Sequence, residues 1–291
     1  MKRLIIYAAI AWLAMGTISC DENFETFDES GITTVGAPSA IESISADSLP
    51  GQIVLHWVVP TDSNYYLLKI NYYDSLTEKE VYQVASVYED SLLIDNTRRK
   101  FGEYEFTFQT FSSNGTASTP VRFDAYSGRA LATETYTVTE IPLTADQLST
   151  NNQEPSEGPI ANLLDGDAGT FFHTRWSSPQ IPMPQYIQVD LNEPIDDFQF
   201  YYANRAWSQV GPEILDVQIS NDGENWETIK TISAGLPSAG YAEYTSEIFR
   251  PGKTFTYFRY NCVQTYGSRN YFNLAEFRLY DVDIEVYDPE L

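Results

Sequence analysis

The feature that most constrains this chain is its punctuation. From residue 41 onward, short runs of alternating apolar and polar residues recur at even spacing between turn-forming sequences, and no helical period of useful length appears. In the first half the runs are Gln52 to Val59, Tyr65 to Tyr73, Lys79 to Ala85, Ser91 to Asp95, Tyr104 to Phe111 and Pro120 to Tyr126. Pro60-Thr61-Asp62-Ser63-Asn64, Asp74-Ser75 and Ser112-Ser113-Asn114-Gly115 separate them. A period of two sends alternate side chains to one face, so Ile53, Leu55 and Trp57 are expected inside and His56 on the solvent side. Short strands at this pitch predict a β-sandwich over residues 41–128.

A second all-β pattern fills residues 145–291, after a linker of mixed polarity at 129–144. Its strand candidates are Tyr186 to Leu191, Ile195 to Tyr202, Ile214 to Ser220, Trp226 to Ile232, Glu243 to Phe249, Thr256 to Val263 and Leu274 to Tyr280. Asn221-Asp222-Gly223 is the strongest hairpin signal, because Asn and Gly tolerate the positive φ of tight turns. Trp226, just after it, reads as core. Roughly 270 residues beyond the leader are enough for two cores. An aromatic content of 14% far exceeds that of a disordered acidic chain.

The first 19 residues read as a secretion leader: Lys2 and Arg3, an uncharged apolar run from Leu4 to Met15, then the small residues before Cys20. The run is too short to span a bilayer comfortably. This pattern resembles the lipobox of bacterial lipoproteins, which implies cleavage before Cys20 and its lipidation; an ordinary cleavage site with Cys in place of Ser would look similar. Asp21-Glu22-Asn23 resembles the surface-export signal of Bacteroidetes lipoproteins, whereas in enteric bacteria an Asp there would suggest inner-membrane retention. The expectation is an outer-membrane, surface-exposed lipoprotein with a flexible acidic tether at 20–40. With Cys20 acylated, only Cys262 remains, so no intramolecular disulfide forms, and Cys262 reads as a small buried hydrophobe. The formal net charge of −24 excludes nucleic acid as a partner and disfavours docking on anionic headgroups.

One segment concentrates chemistry. Asn162-Leu163-Leu164-Asp165-Gly166-Asp167-Ala168-Gly169-Thr170 packs carboxylates, a hydroxyl and glycines into a loop that suits a hard cation, although taken alone such a loop is more often an ordinary turn. With Phe171-Phe172-His173-Thr174-Arg175-Trp176 it resembles the signature of the F5/8 type C, or discoidin-like, domain. Further matches follow in order: Pro184 to Leu191, Ser220-Asn221-Asp222-Gly223 with Trp226, Phe258-Arg259-Tyr260, and Ala275 to Tyr280. The resemblance implies a jelly-roll-like β-sandwich with a structural calcium ion. Its ligands would be Asp165 and Glu276 through carboxylates, Thr170 through hydroxyl and carbonyl, and Asn162, Asp167 and Ala275 through backbone carbonyls.

The likeness to family 32 carbohydrate-binding modules implies a shallow sugar pocket with His173 and Trp176, Arg205 nearby and Tyr271 as a second aromatic. An aromatic face stacks on the C–H side of a sugar while His and Arg bond its hydroxyls. Trp207 is the next aromatic expected to touch ligand. The pocket asparagine expected about five residues after the arginine has no match, which puts galactose preference in question. In the alternative reading His173 bonds its own loop and Trp176 is core. The first domain resembles fibronectin type III and immunoglobulin-like modules of Bacteroidetes surface lipoproteins, through Ile53, Leu55 and Trp57 on an early strand and Tyr104, Phe106 and Phe108 on a late one.

No nucleotide-binding glycine loop, serine-nucleophile elbow or zinc-helix motif occurs. Pro251-Gly252-Lys253-Thr254 lacks the required upstream glycine and reads as a turn. The expectation is therefore a non-catalytic surface lipoprotein that captures glycans, galactose-type or another plant or host polysaccharide. The competing expectation is a head that binds a protein partner in an outer-membrane complex.

Overall fold

The computed structural model describes residues 36–206 and 210–291. Cys20, with the leader and most of the expected tether, lies outside the described residues, as does Trp207. The chain divides into two compact units: one runs to Ala132 and takes back Asp288–Leu291, and the other is Thr133–Tyr287. Among the described residues there is no α-helix, only three short 3-10 turns, and no helix is long and apolar enough to cross a membrane. The expected all-β class holds.

The first unit contains β1 (Glu42–Leu49), β2 (Gln52–Val58), β3 (Leu67–Asp74), β4 (Lys79–Ser86), β5 (Ser91–Ile94), β6 (Glu103–Phe111) and β7 (Val121–Tyr126). They form two sheets, in the orders β1-β2-β5 and β4-β3-β6-β7. The alternation read from sequence is what packs them: Ile53, Leu55 and Trp57 from β2 meet Leu68 and Ile70 from β3 and Tyr104, Phe106 and Phe108 from β6 in one core. His56 lies on the outer side, 3.1 Å from Asp47. β1 escaped the sequence reading because it is an edge strand with no fully buried residue.

The second unit contains β8 (Thr133–Glu140), β9 (Leu148–Thr150), β10 (Phe172–His173), β11 (Gln185–Ile195), β12 (Phe198–Ala203), β13 (Pro212–Ser220), β14 (Glu227–Ile232), β15 (Glu243–Thr245), β16 (Phe255–Thr265), β17 (Asn273–Leu274) and β18 (Glu276–Tyr287). A five-stranded sheet runs β14-β13-β16-β11-β9 and a four-stranded one β15-β12-β18-β8, with β10 and β17 as a separate pair. The core between them is aromatic. Phe200 has ring neighbours at 5.9–6.5 Å in Phe249, Phe258, Tyr260 and Phe277. Cys262 is fully buried in the same core, and burial pushes its thiol far above the ordinary range.

Three expectations do not hold. Residues 129–144 are not simply a linker: Thr133–Glu140 is β8, paired along its whole length with the end of β18. All eight of its residues are exposed, so no buried stripe marks it in the sequence. The last four residues do not belong to the second unit either. Glu290 accepts backbone N–H bonds from Arg99, Lys100 and Ala130, and Asp288 pairs with Arg129, which ties the C-terminus to the first unit. Trp226 is half-buried and stacks on Arg259 at 3.7 Å instead of entering the core.

Removing one of the central rings leaves a cavity that the surrounding sheets cannot fill. Phe200→Ala is expected to cost about 3–5 kcal/mol in the second unit, read as a lowered urea midpoint with an unchanged slope.

Candidate functional site

The loops at one end of the second unit are organised by the β10 and β17 pair, in which Phe172 lies opposite Leu274 and His173 opposite Asn273. Thr174 extends the pair: its N–H and hydroxyl both reach the Phe272 carbonyl, and the hydroxyl accepts from the Phe272 N–H at 2.8 Å. Beneath it, Phe172 and Phe272 pack edge-to-face at 5.8 Å inside the core. A third segment joins through Glu154, which is buried and whose carboxylate takes bonds from Ser156 N–H, Ser156 hydroxyl and Ser177 N–H. Burial raises its pKa, but those bonds outweigh burial and pull it down to about 2.

His173 is only 4% exposed. Its Nδ1 lies 2.6 Å from the Thr174 carbonyl, and its Nε2 faces the Asn273 amide at 3.3 Å. Burial is the main reason its pKa falls below the ordinary value; the Arg205 charge adds to this, while the Thr174 carbonyl, Glu157 and Glu154 oppose it. The imidazole is thus neutral at pH 7, donating from Nδ1 and accepting at Nε2. It bonds its own loop, as the alternative sequence reading had it.

Around this buried ring the other expected residues gather. Tyr271 is 5.5 Å from His173, ring to ring, and Phe171 is 6.2 Å away on another side. Arg205 lays its guanidinium on Phe171, 3.3 Å from the ring centre. Trp176 is 45% exposed and donates its indole N–H to Glu157 at 2.8 Å. Glu157 also acts electrostatically on both His173 and Arg205, so the carboxylate that holds Trp176 bears on their charge as well. Trp176 is therefore a held, outward-facing ring and not a core residue.

Four participants had no role assigned from the sequence. Glu157 lies in a loop with no motif around it, and Phe171 stands inside the motif with no function of its own read from it. Asn273 supplies an amide to His173 from the facing strand, a pairing that appears only once the register is known. Tyr241 is 59% exposed and donates its backbone N–H to the Arg205 carbonyl at 3.2 Å. Gly240, just before it, allows that approach, since a Cβ there would sit 2.0 Å from the Ala206 carbonyl oxygen.

The acidic loop meets the start of β18, where Asp165 lies beside Glu276. A 3-10 turn at Ile160–Leu164 buries Leu163 and delivers Asp165 at its end. Asp165 accepts from the Asp167 N–H at 2.9 Å and the Thr170 hydroxyl at 2.7 Å, and these bonds lower its pKa against a smaller effect of burial. Asp167 turns its carboxylate back to the Gly169 N–H, while its carbonyl accepts from Thr170. Asn162 spends its amide on the Phe171 carbonyl, and Ala275 donates its N–H to the Ala203 carbonyl. Glu276 is buried beside Asp165, and its Oε1 has no hydrogen-bond partner. Burial first, and the Asp165 charge second, raise its pKa, against the Gly166 N–H. Among the described residues no three His, Cys, Asp or Glu side chains converge on one point, so a cation here would rely on carbonyl and hydroxyl oxygens beside the two carboxylates. A buried carboxylate with an orphaned oxygen facing a second carboxylate fits such an ion.

Residues 147–277 match the family model of the F5/8 type C domain, so the second unit carries such a domain. Among solved structures, the chain is similar to the family 32 carbohydrate-binding module of Clostridium perfringens NanJ, in complex with galactose. That likeness has 19% identity and a TM-score of 0.41, and covers 50% of this chain and 100% of that one. It is also similar to the C-terminal domain of a chitobiase from Bacteroides fragilis, with 24% identity and a TM-score of 0.39 over 50% of this chain and 98% of that one. A SusE-like protein is similar over 85% of this chain and 99% of its own, with 12% identity and a TM-score of 0.38.

Gly158 sets how closely the loop that carries Glu154 and Glu157 approaches the imidazole. Its φ is +62°, and a Cβ there would lie 2.8 Å from both the Cβ and the N of His173. Gly158→Ala is expected to cost about 1–3 kcal/mol and to shift the His173 ring resonances, both measurable by thermal unfolding and NMR.

Proposed function

We propose that the chain, with an F5/8 type C domain as its second unit, is a non-catalytic glycan-binding protein of the bacterial surface. The observation that carries this reading is the outward-facing Trp176 indole, fixed by Glu157 within a cluster that also holds Arg205 and Tyr271. Such a ring stacks on the C–H face of a sugar, while the guanidinium donates and the carboxylate accepts at its hydroxyls. His173 serves this site from below: buried and bonded, it orients the Tyr271 side of the cluster instead of offering a free donor. The missing pocket asparagine and the carboxylate of Glu157 leave the sugar open beyond galactose-type rings.

The same proposal gives the rest of the chain its place. Acyl chains on Cys20 tether it to the outer membrane, the acidic stretch that follows gives reach, and the first unit acts as a fibronectin type III-like stalk. Glycan capture next to other outer-membrane proteins is the service that fits this arrangement. A structural calcium ion is part of the proposal. Asp165 and Glu276 would hold it through carboxylates, Thr170 through hydroxyl and carbonyl, and Asn162, Asp167 and Ala275 through carbonyls; bound there, it supplies the positive charge that the two carboxylates lack.

Titration of the full chain against a glycan array tests the first claim: Trp176→Ala is expected to weaken binding at least about tenfold, or ~1.4 kcal/mol, with unfolding unchanged. Undiminished binding would remove Trp176 from the glycan site, and no glycan signal from an intact fold would favour a protein-binding head. The ion has its own test. Because burial and Asp165 raise the Glu276 pKa, the cation-free fold holds that proton longer than the unfolded chain, so it loses stability as pH rises through the raised value. Glu276→Gln removes that loss. At pH 7 with chelator it is expected to raise Tm by about 2–4 °C for ~1 kcal/mol, and it should abolish the increase that calcium gives the unaltered chain.

A further inference from the structure

We infer that the outer face of the β4-β3-β6-β7 sheet in the first unit is a second glycan-binding platform, one that takes a neutral linear oligosaccharide. Strand alternation turns Leu68, Ile70, Phe106 and Phe108 into the core. The same alternation turns Asn71 and Tyr73 of β3, Glu105 and Thr107 of β6, Tyr82 of β4 and Tyr126 of β7 the other way. Tyr73, Tyr82 and Tyr126 keep 48%, 53% and 55% of their surface exposed. Register fixes their layout: Tyr82 lies opposite Asn71, Tyr73 opposite Glu80, and Tyr126 opposite Glu103. Tyr82 and Tyr73 are therefore diagonal neighbours on adjacent strands, about 7–8 Å apart. A concavity of about 320 Å³ lies between Tyr73 and β6, lined by Asn71, Tyr73, Glu80, Glu103, Glu105 and Thr107, with Tyr82 outside it on the same face.

The chemistry of the face selects its occupant. Each of these rings is flanked by an amide or a carboxylate, and Val84, beside Tyr82 on β4, is the one strongly exposed aliphatic residue on this face, less apolar surface than a protein interface buries at its centre. A sugar chain asks for this interleaving, because each ring presents a C–H face for stacking and a rim of hydroxyls for fixed acceptors. Charge narrows the choice further. Glu80, Glu103, Glu105 and Asp124 outnumber Lys69 and Arg122 on this face. Lys69 lies 4.2 Å above the Tyr82 ring, and Arg122 is 2.9 Å from Glu105. A uronic acid or sulfated chain would meet repulsion with both cations engaged. This face shares no residue with the Trp176 cluster.

The test uses the full chain with and without Trp176→Ala, and four probes: the β-linked hexasaccharides of glucose, mannose, galactose and xylose. With at least one of them, calorimetry should give residual binding in the Trp176→Ala chain, and hydrogen exchange should give protection confined to residues 69–73 and 103–107. Adding Tyr73→Ala and Tyr82→Ala should weaken that binding at least about tenfold, whereas Tyr73→Phe with Tyr82→Phe should retain it because the rings remain. No protection of these strands by any of the four, or undiminished affinity of the double Ala variant, would overturn the inference, as would equal losses in the Phe and Ala variants. Should Trp176→Ala leave all binding intact while the tyrosine pair abolishes it, the reading of the second unit fails and this one stands.

Discussion

A ladder of two residues on each side, Phe172–His173 against Asn273–Leu274, is the constraint on which the rest of the site depends. It places His173 over Asn273, and two residues past Leu274 the chain enters β18 at Glu276, so one pairing sets both the aromatic cluster and the acidic loop. So short a ladder has little stability of its own. Its hold comes from below, where Phe172, Phe272 and Leu274 are fully buried, and from Thr174, which closes the ladder onto Phe272. Burial of apolar rings thus does the work of positioning polar ones.

Two buried glutamates in the same unit show how surroundings decide charge. Glu154 has three donors on its carboxylate and stays ionised far into acid, acting as a fastener between two loops. Glu276 has an orphaned oxygen and a second carboxylate beside it, and its pKa moves the other way. A fold that holds a carboxylate so poorly served has a use for a positive charge at that point. In a chain with 41 acidic residues against 17 basic ones, the calcium ion proposed there would supply it.

Much of the fold was legible because burial writes a period of two into the chain. Ile53, Leu55 and Trp57 on β2, and Phe258 and Tyr260 on β16, alternate with more exposed neighbours and pack as that pattern requires, although Asn261 after them is buried as well. Strands that bury nothing wrote no such period: β8, with its eight exposed residues, passed for a linker. In the site, Asp165 and Glu276 were legible as a pair only through an ordered set of motifs. Glu157 and Asn273 were not legible at all, since their roles come from loop approach and cross-strand register. His173 was found by its motif, but its burial follows from Gly158 pressing against it, which no local pattern announces.

The exposed indole at the end of this framework is the central claim. The most direct measurement is a titration of the ¹⁵N-labelled full chain with glycan, following the indole N–H resonances. The account predicts that the Trp176 signal, which leaves or tightens its bond to Glu157, moves and saturates while those of Trp57 and Trp226 stay fixed. A glycan that binds and leaves the Trp176 signal where it was would contradict it.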